Sequence, residues 1–294
     1  MTRFPRPLPW LLAGFLAGSL AAGVAGAADL KLVTVQDNLT AMRKIQCSTR
    51  DGEVAVWYWN GHAYSRVPGE PDRQLFAVEG MNIRQCGPLE GATDGSFKMT
   101  TREVLVYEDP KTGKPLATWE NPWTGRQVKV VHVANDPVNQ RISAAGRGGQ
   151  PFRLPLEVNA GQWWMTSTVP LFYRNPLAGD YQDYIGGKYH ATEMFNFFGD
   201  VASLADARRR SATVSIGWVR LSDWLPWMEM GGRAGMIYFS TAGRKLDRWE
   251  DMPETFRKEI ETNYPLYRSP PPLDDQRPNE TSWTYFRKVT PVGP

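Results

Sequence analysis

Glu103, His132 and Glu193 each fall on an otherwise apolar row of alternating residues. In 97–108 one row reads Phe97, Met99, Thr101, Glu103, Leu105, Tyr107. In 128–136 it reads Val128, Val130, His132, Ala134, Asp136, and in 190–198 it reads Ala191, Glu193, Phe195, Phe197. Successive side chains of a strand point to opposite faces, so a group on such a row is aimed at an apolar interior. Burial without a partner raises a carboxyl pKa and lowers an imidazole pKa. Both then move toward neutrality, where general acid–base catalysis works best. Each residue alone is better explained by a hydrogen bond to backbone or to an arginine. Together they predict a site in which His132, with Glu193 or Glu103, moves a proton.

Rings and two polar groups are the expected ligand contacts: Trp57, Trp59, Asn196, Trp218, Arg220 and Trp227. Twelve Trp among 294 residues mean either heavy core packing or a binding surface built from rings. In 213–221 the small residues Thr213, Ser215 and Gly217 share one face, and Val214, Ile216, Trp218 and Arg220 share the other. A small-residue face turned inward would leave room for a ligand. Trp224–Met230 places two Trp, two Met and Glu229 in one short stretch, which reads as a hydrophobic plug or a pocket wall.

Several chemistries are disfavoured. The three His are not spaced as His-x-His or His-x3-His, so no metal site is expected. No Gly-x-Gly-x-x-Gly follows a strand, and neither a P-loop nor a Gly-x-Ser-x-Gly elbow occurs. No cofactor is therefore expected. Arg3 and Arg6 precede an uncharged run, Trp10 to Val24, and Ala25-Gly26-Ala27 has the small-x-small pattern of a cleavage site. Residues 1–27 thus read as a signal peptide. Without an Arg-Arg pair the Sec route to the periplasm is favoured, and no stable membrane span is expected after cleavage. The remainder carries 32 Lys+Arg against 31 Asp+Glu, so no basic field is left for a nucleic acid. Cys47 and Cys86 suit an oxidising compartment, either as a disulfide or as two buried thiols.

Residues 28–294 read as a single β-rich domain. Asp37 or Asn38 caps a helix over 39–47. Residues 54–59 and 62–67 read as a hairpin across Asn60-Gly61. Asp109-Pro-Lys-Thr-Gly113 and Asn121-Pro-Trp-Thr-Gly125 are twin turn signals, so 97–108, 115–120 and 126–134 form a meander. Further strands are expected over 152–158, 162–173, 189–198, 212–221, 235–240 and 282–289. Helices are expected over 201–210 and from 253, and five Pro in 265–280 indicate an extended connection. About ten antiparallel strands on one core predict a barrel or strongly curved sheet of lipocalin type, with two or three short helices.

The segments Tyr107–Gly113, Trp119–Gly125, Val130–Val138, Glu193–Phe198 and Trp224–Gly231 resemble those of a bacterial family known as domain of unknown function 1838. The likeness covers nearly the whole mature chain. It implies export and brings no mechanism. Some relatives carry a twin-arginine signal, which this chain lacks.

Two readings follow. One is a cofactor-independent enzyme of isomerase, lyase or hydrolase type, acting on a small apolar or aromatic molecule. The other is a periplasmic barrel that holds such a molecule unchanged.

Overall fold

The computed structural model describes residues 30–178, 180, 181 and 183–290; the expected signal segment lies outside them. The chain runs α1 (Val35–Gln46), β1 (Ala55–Arg66), β2 (Arg73–Pro88), β3 (Phe97–Glu108), β4 (Thr118–Glu120), β5 (Gln127–Lys129), β6 (Val133–Asn135), β7 (Gln140–Ile142), β8 (Glu157–Asn159), β9 (Gln162–Arg174) and β10 (Lys188–Asp200). It continues with α2 (Val201–Ala205), β11 (Ser215–Ser222), β12 (Met236–Leu246), α3 (Glu254–Asn263) and α4 (Ser282–Val289). Ten strands form one antiparallel sheet in the order β6-β3-β2-β1-β12-β11-β10-β9-β8, with β7 also on β3. This order is an open path, not a closed ring. β4 and β5 form a separate hairpin. Among the described residues no helix is long and apolar enough to cross a membrane.

The expected hairpin at Asn60-Gly61 is instead the middle of β1. Asn60 and Gly61 lie opposite Ala242 and Thr241 on one side and Glu79 and Val78 on the other. Glycine is required here by close approach, because a Cβ on Gly61 would stand 2.2 Å from the Ser240 carbonyl oxygen. The twin turns do form. Gly113 and Gly125 adopt φ of +64° and +68°, and their N–H groups donate to the Asp109 and Asn121 carbonyls at 2.8 Å each.

Three further expectations are corrected. Residues 282–289 form a helix, capped by the Thr281 hydroxyl, which accepts from Thr284 N–H at 3.2 Å. Trp283 and Phe286 are both buried at helical i, i+3 spacing, which overrides the strand preference of their rings. The helix expected over 201–210 ends at Ala205, and Lys44 Nζ takes the carbonyls of Leu204 and Asp206 at 3.1 and 2.7 Å. α1 begins a turn earlier than expected, on a reciprocal Thr34–Asp37 cap. The buried Lys245 Nζ donates to the Lys44 and Ile45 carbonyls at the other end of α1, at 2.6 and 2.9 Å.

Packing divides by face. On one side Val56, Met81, Ile83, Val104 and Val106 bury against Phe256 and Ile260 of α3. On the other, Phe76, Tyr107, Trp227, Trp283 and Phe286 form a ring-rich core. The proline-rich 265–280 connection is fastened to the sheet. The Pro271 carbonyl accepts from Thr100 Oγ1 at 2.9 Å and from Gln85 Nε2 at 2.6 Å. Nearby, Arg102 pairs with Asp136 at 2.7 Å. The sulfurs of Cys47 and Cys86 lie at disulfide distance, with Cα atoms 6.0 Å apart, and both residues are fully buried.

Candidate functional site

One face of the large sheet borders a cavity of about 900 Å³. Its lining includes Trp57 and Trp59 from β1, Asn82 and Arg84 from β2, and Thr101 and Glu103 from β3. From the far half of the sheet come Glu193 and Phe195 of β10 and Trp218 and Arg220 of β11. Residues of α1, of the 138–155 segment and of β9, among them Ser167, add to the lining. Alternation explains the set, since residues 101 and 103, 193 and 195, and 218 and 220 lie two apart on their strands.

Glu103 and Glu193 therefore share one cavity although β2, β1, β12 and β11 lie between their strands. Glu103 accepts a hydrogen bond from Asn135 Nδ2 at 2.7 Å. Burial, and next the charge of Glu193, push its carboxyl above the usual range, against the pull of Asn135, Arg220 and Arg84. Glu193 Oε1 accepts from Arg220 Nη1 at 3.0 Å. Arg220 also donates through Nη2 to the Tyr189 hydroxyl, and its Nε is buried without a partner among the described residues. Burial works against the Arg220 charge, but Tyr189, Glu193 and Tyr107 outweigh it and hold the guanidinium above its usual range.

Arg84 faces the cavity from the other side. Its Nε donates to Asn82 Oδ1 at 2.6 Å and its Nη1 to Gln46 Oε1 at 2.5 Å. The guanidinium lies over the Trp57 ring, 5.1 Å from its centroid. Burial lowers it to about 9, opposed by Glu103, so it remains a cation at neutral pH. Thr101 Oγ1 also donates to Asn82 Oδ1, at 2.7 Å, which fixes that amide.

The sequence-derived candidates separate into two groups. Glu103, Glu193, Trp57, Trp59, Trp218 and Arg220 border the cavity. Trp57 is only 1% exposed and forms a wall, whereas Trp59 and Trp218 are half-buried with ring centroids 6.3 Å apart. His132, Asn196 and Trp227 do not border it. His132 sits on the link between β5 and β6, where the strand expected over 126–134 is broken. Its Nδ1 accepts from the Tyr107 N–H at 3.0 Å, its ring stacks on Tyr107, and burial lowers it to about 4. It is thus a neutral imidazole engaged with the edge of β3. Asn196 is on the outer face, exposed and bonded to Thr166 at 3.1 Å. Trp227 is buried among Phe76, Tyr107 and Trp119, as the plug reading expected. The face of β11 that borders the cavity is the large one, Ile216, Trp218 and Arg220, and the small-residue face points away.

Sequence reasoning missed Arg84, Asn82 and Thr101. In 81–86 the row Asn82, Arg84 alternates with Met81 and Ile83, the pattern of a strand with one face in water. A polar row that faces a cavity gives the same signal. Among the described residues no three of His, Cys, Asp or Glu gather as a metal-ligand set.

The model of a family described as "Protein of unknown function (DUF1838)" matches residues 52–290. No curated protein matches the chain.

Proposed function

The chain belongs to this family of unknown function, DUF1838, and on that footing we propose that it is an exported small-molecule protein. Its cavity takes one apolar or aromatic molecule, and Glu103 and Glu193 exchange a proton with it without a cofactor. The observation that carries this reading is the meeting of two glutamates from opposite halves of the sheet in one ring-walled cavity. On a flat sheet, five strand spacings would set β3 and β10 about 24 Å apart. Their shared cavity, and the reach of the Glu193 charge to Glu103, support a sheet bent into a cup. In such a cup the raised Glu103 is the acid, and Glu193, with its charge matched by Arg220, is the base. Trp59, Trp218 and Phe195 hold the ligand body. The buried Cys47–Cys86 pair and the apolar run before residue 28 support export.

One observation favours the second reading, a carrier that leaves its ligand unchanged. Both carboxylates are already engaged, Glu103 by Asn135 and Glu193 by Arg220. Native mass spectrometry of protein recovered from the periplasm, followed by turnover of the carried molecule, distinguishes the two. Catalysis predicts a loss of about 10²–10⁴ in rate for Glu103→Gln and Glu193→Gln. A molecule released unaltered by wild type and both variants identifies the carrier.

A further inference from the structure

We propose that the ligand of this cavity is an anion: a small aromatic or apolar molecule bearing one carboxylate or similar acidic group, held by Arg84. The inference rests on the cavity being a ligand site and names the chemistry that site would select. Among the described residues four arginines border the cavity, Arg84, Arg141, Arg153 and Arg220, against two carboxylates, Glu103 and Glu193. Arg141 and Arg153 are exposed on the 138–155 segment, at the rim, where they bias approach toward anions. Arg220 is matched by Glu193 at 3.0 Å.

Arg84 has no such match. Its two hydrogen bonds go to the neutral amide oxygens of Asn82 and Gln46, and no carboxylate lies within ion-pair distance among the described residues. The acid whose charge reaches it, Glu103, is held by Asn135. Guanidinium groups enclosed in a protein are normally paired, because an unpaired charge away from water is costly. The bonds at Nε and Nη1, and the Trp57 face beneath, fix the plane of the fork and leave Nη2 without a partner among the described residues. A planar, oriented guanidinium beside a ring-lined space is the arrangement that accepts a carboxylate in register with an apolar body.

The test compares two dyes with the same rings, 8-anilinonaphthalene-1-sulfonate, an anion, and N-phenyl-1-naphthylamine, which is neutral. Each is titrated by fluorescence into the mature protein. The anion is expected to bind about tenfold tighter. Arg84→Gln is expected to abolish that preference and leave the neutral dye's affinity unchanged. Arg84→Lys, which lacks the fork, should narrow it, and supplies the readout if Arg84→Gln does not fold. Equal affinity of wild type for the two dyes overturns the inference and leaves the cavity reading intact. So does an anion preference that survives in Arg84→Gln. Ser167→Trp, which fills the cavity from β9, must remove both dyes. If it does not, or if neither dye binds wild type, the cavity reading fails and the anion proposal fails with it.

Discussion

Arg220 joins the cavity to the aromatic core, because its Nη1 donates to Glu193 at 3.0 Å while its Nη2 donates to the Tyr189 hydroxyl. Tyr189 is buried and packs edge-on against Trp283, with centroids 4.8 Å apart. Arg220 and Glu193 retain 15% and 20% of their side-chain exposure. Removing one partner from a fully buried pair costs about 3–5 kcal/mol, and this partly exposed pair should lose somewhat less. Arg220→Met should therefore lower the urea midpoint clearly. Arg220→Met combined with Glu193→Leu should recover part of the loss, since no unpaired charge remains. A double variant no more stable than Arg220→Met would show that the pair carries no coupling.

Cys47 and Cys86 link the end of α1 to β2 across a sequence separation of 39 residues. A closed loop of that size stabilises a fold by about 4 kcal/mol in the chain-entropy model. Cys47→Ser/Cys86→Ser should lose stability of that order in urea. Reductant should then destabilise wild type and leave the variant unmoved. A wild type insensitive to reductant after unfolding and refolding would show that the thiols do not pair.

Two groups, half-buried His132 and buried Glu108, should tilt the pH dependence of stability in opposite directions. His132 is lowered from 6.5 to about 4 by burial, so the fold favours its neutral form. Its contribution is present above pH 6.5 and is lost as pH falls through about 4, on the order of 3 kcal/mol in all. Glu108 is raised from 4.5 to about 7 by burial and by the neighbouring charge of Glu79. Its contribution is present below pH 4.5 and is lost as pH rises to about 7. The wild-type profile between these limits should therefore be shallow. His132→Gln should make stability rise more steeply on acidification, and Glu108→Gln should make it fall. Unfolding free energies measured from pH 4 to 8 would show both slopes. Parallel curves for the two variants would contradict the opposed signs.

Gly61 shows what could and could not be read in the sequence. Asn-Gly between ring-rich runs is a strong turn signal, and nothing local reveals that β2 and β12 flank it on both sides. The contact that demands glycine is with Ser240, far along the chain. Gly61→Ala should cost at least about 2–3 kcal/mol, because the obstructing atom is backbone and cannot rotate away. A variant of wild-type stability would argue against β1 running unbroken through Gly61. The twin turns were legible because their chemistry is local. Glu103 and Glu193 were legible as polar interruptions of apolar rows. Arg84 was not, because a row facing a cavity has the composition of a row facing solvent. His132 looked like its fellow candidates from alternation alone. Only the break between β5 and β6 reveals that its ring bonds the Tyr107 backbone.

The electrostatic link between Glu103 and Glu193 can be measured without knowing the ligand. Burial and the Glu193 charge raise the Glu103 carboxyl, while Asn135, Arg220 and Arg84 draw it down. Removing each influence should move Glu103 in a defined direction, readable from the pH titration of its side-chain carboxyl carbon by NMR. Glu193→Gln removes a negative neighbour and frees Arg220, so both changes lower the Glu103 pKa. Asn135→Ala removes a donor to the carboxylate and should raise it. Arg84→Gln removes a positive neighbour and should also raise it. Because β3 and β10 are separated by four strands in the sheet order, a shift on Glu193→Gln can arise only if the two side chains face a common space. A Glu103 titration that ignores Glu193→Gln while responding to Asn135→Ala would separate the carboxylates and remove the basis for paired acid–base chemistry. Responses of all three variants in the stated directions would place acid, base and Arg84 in one electrostatic unit.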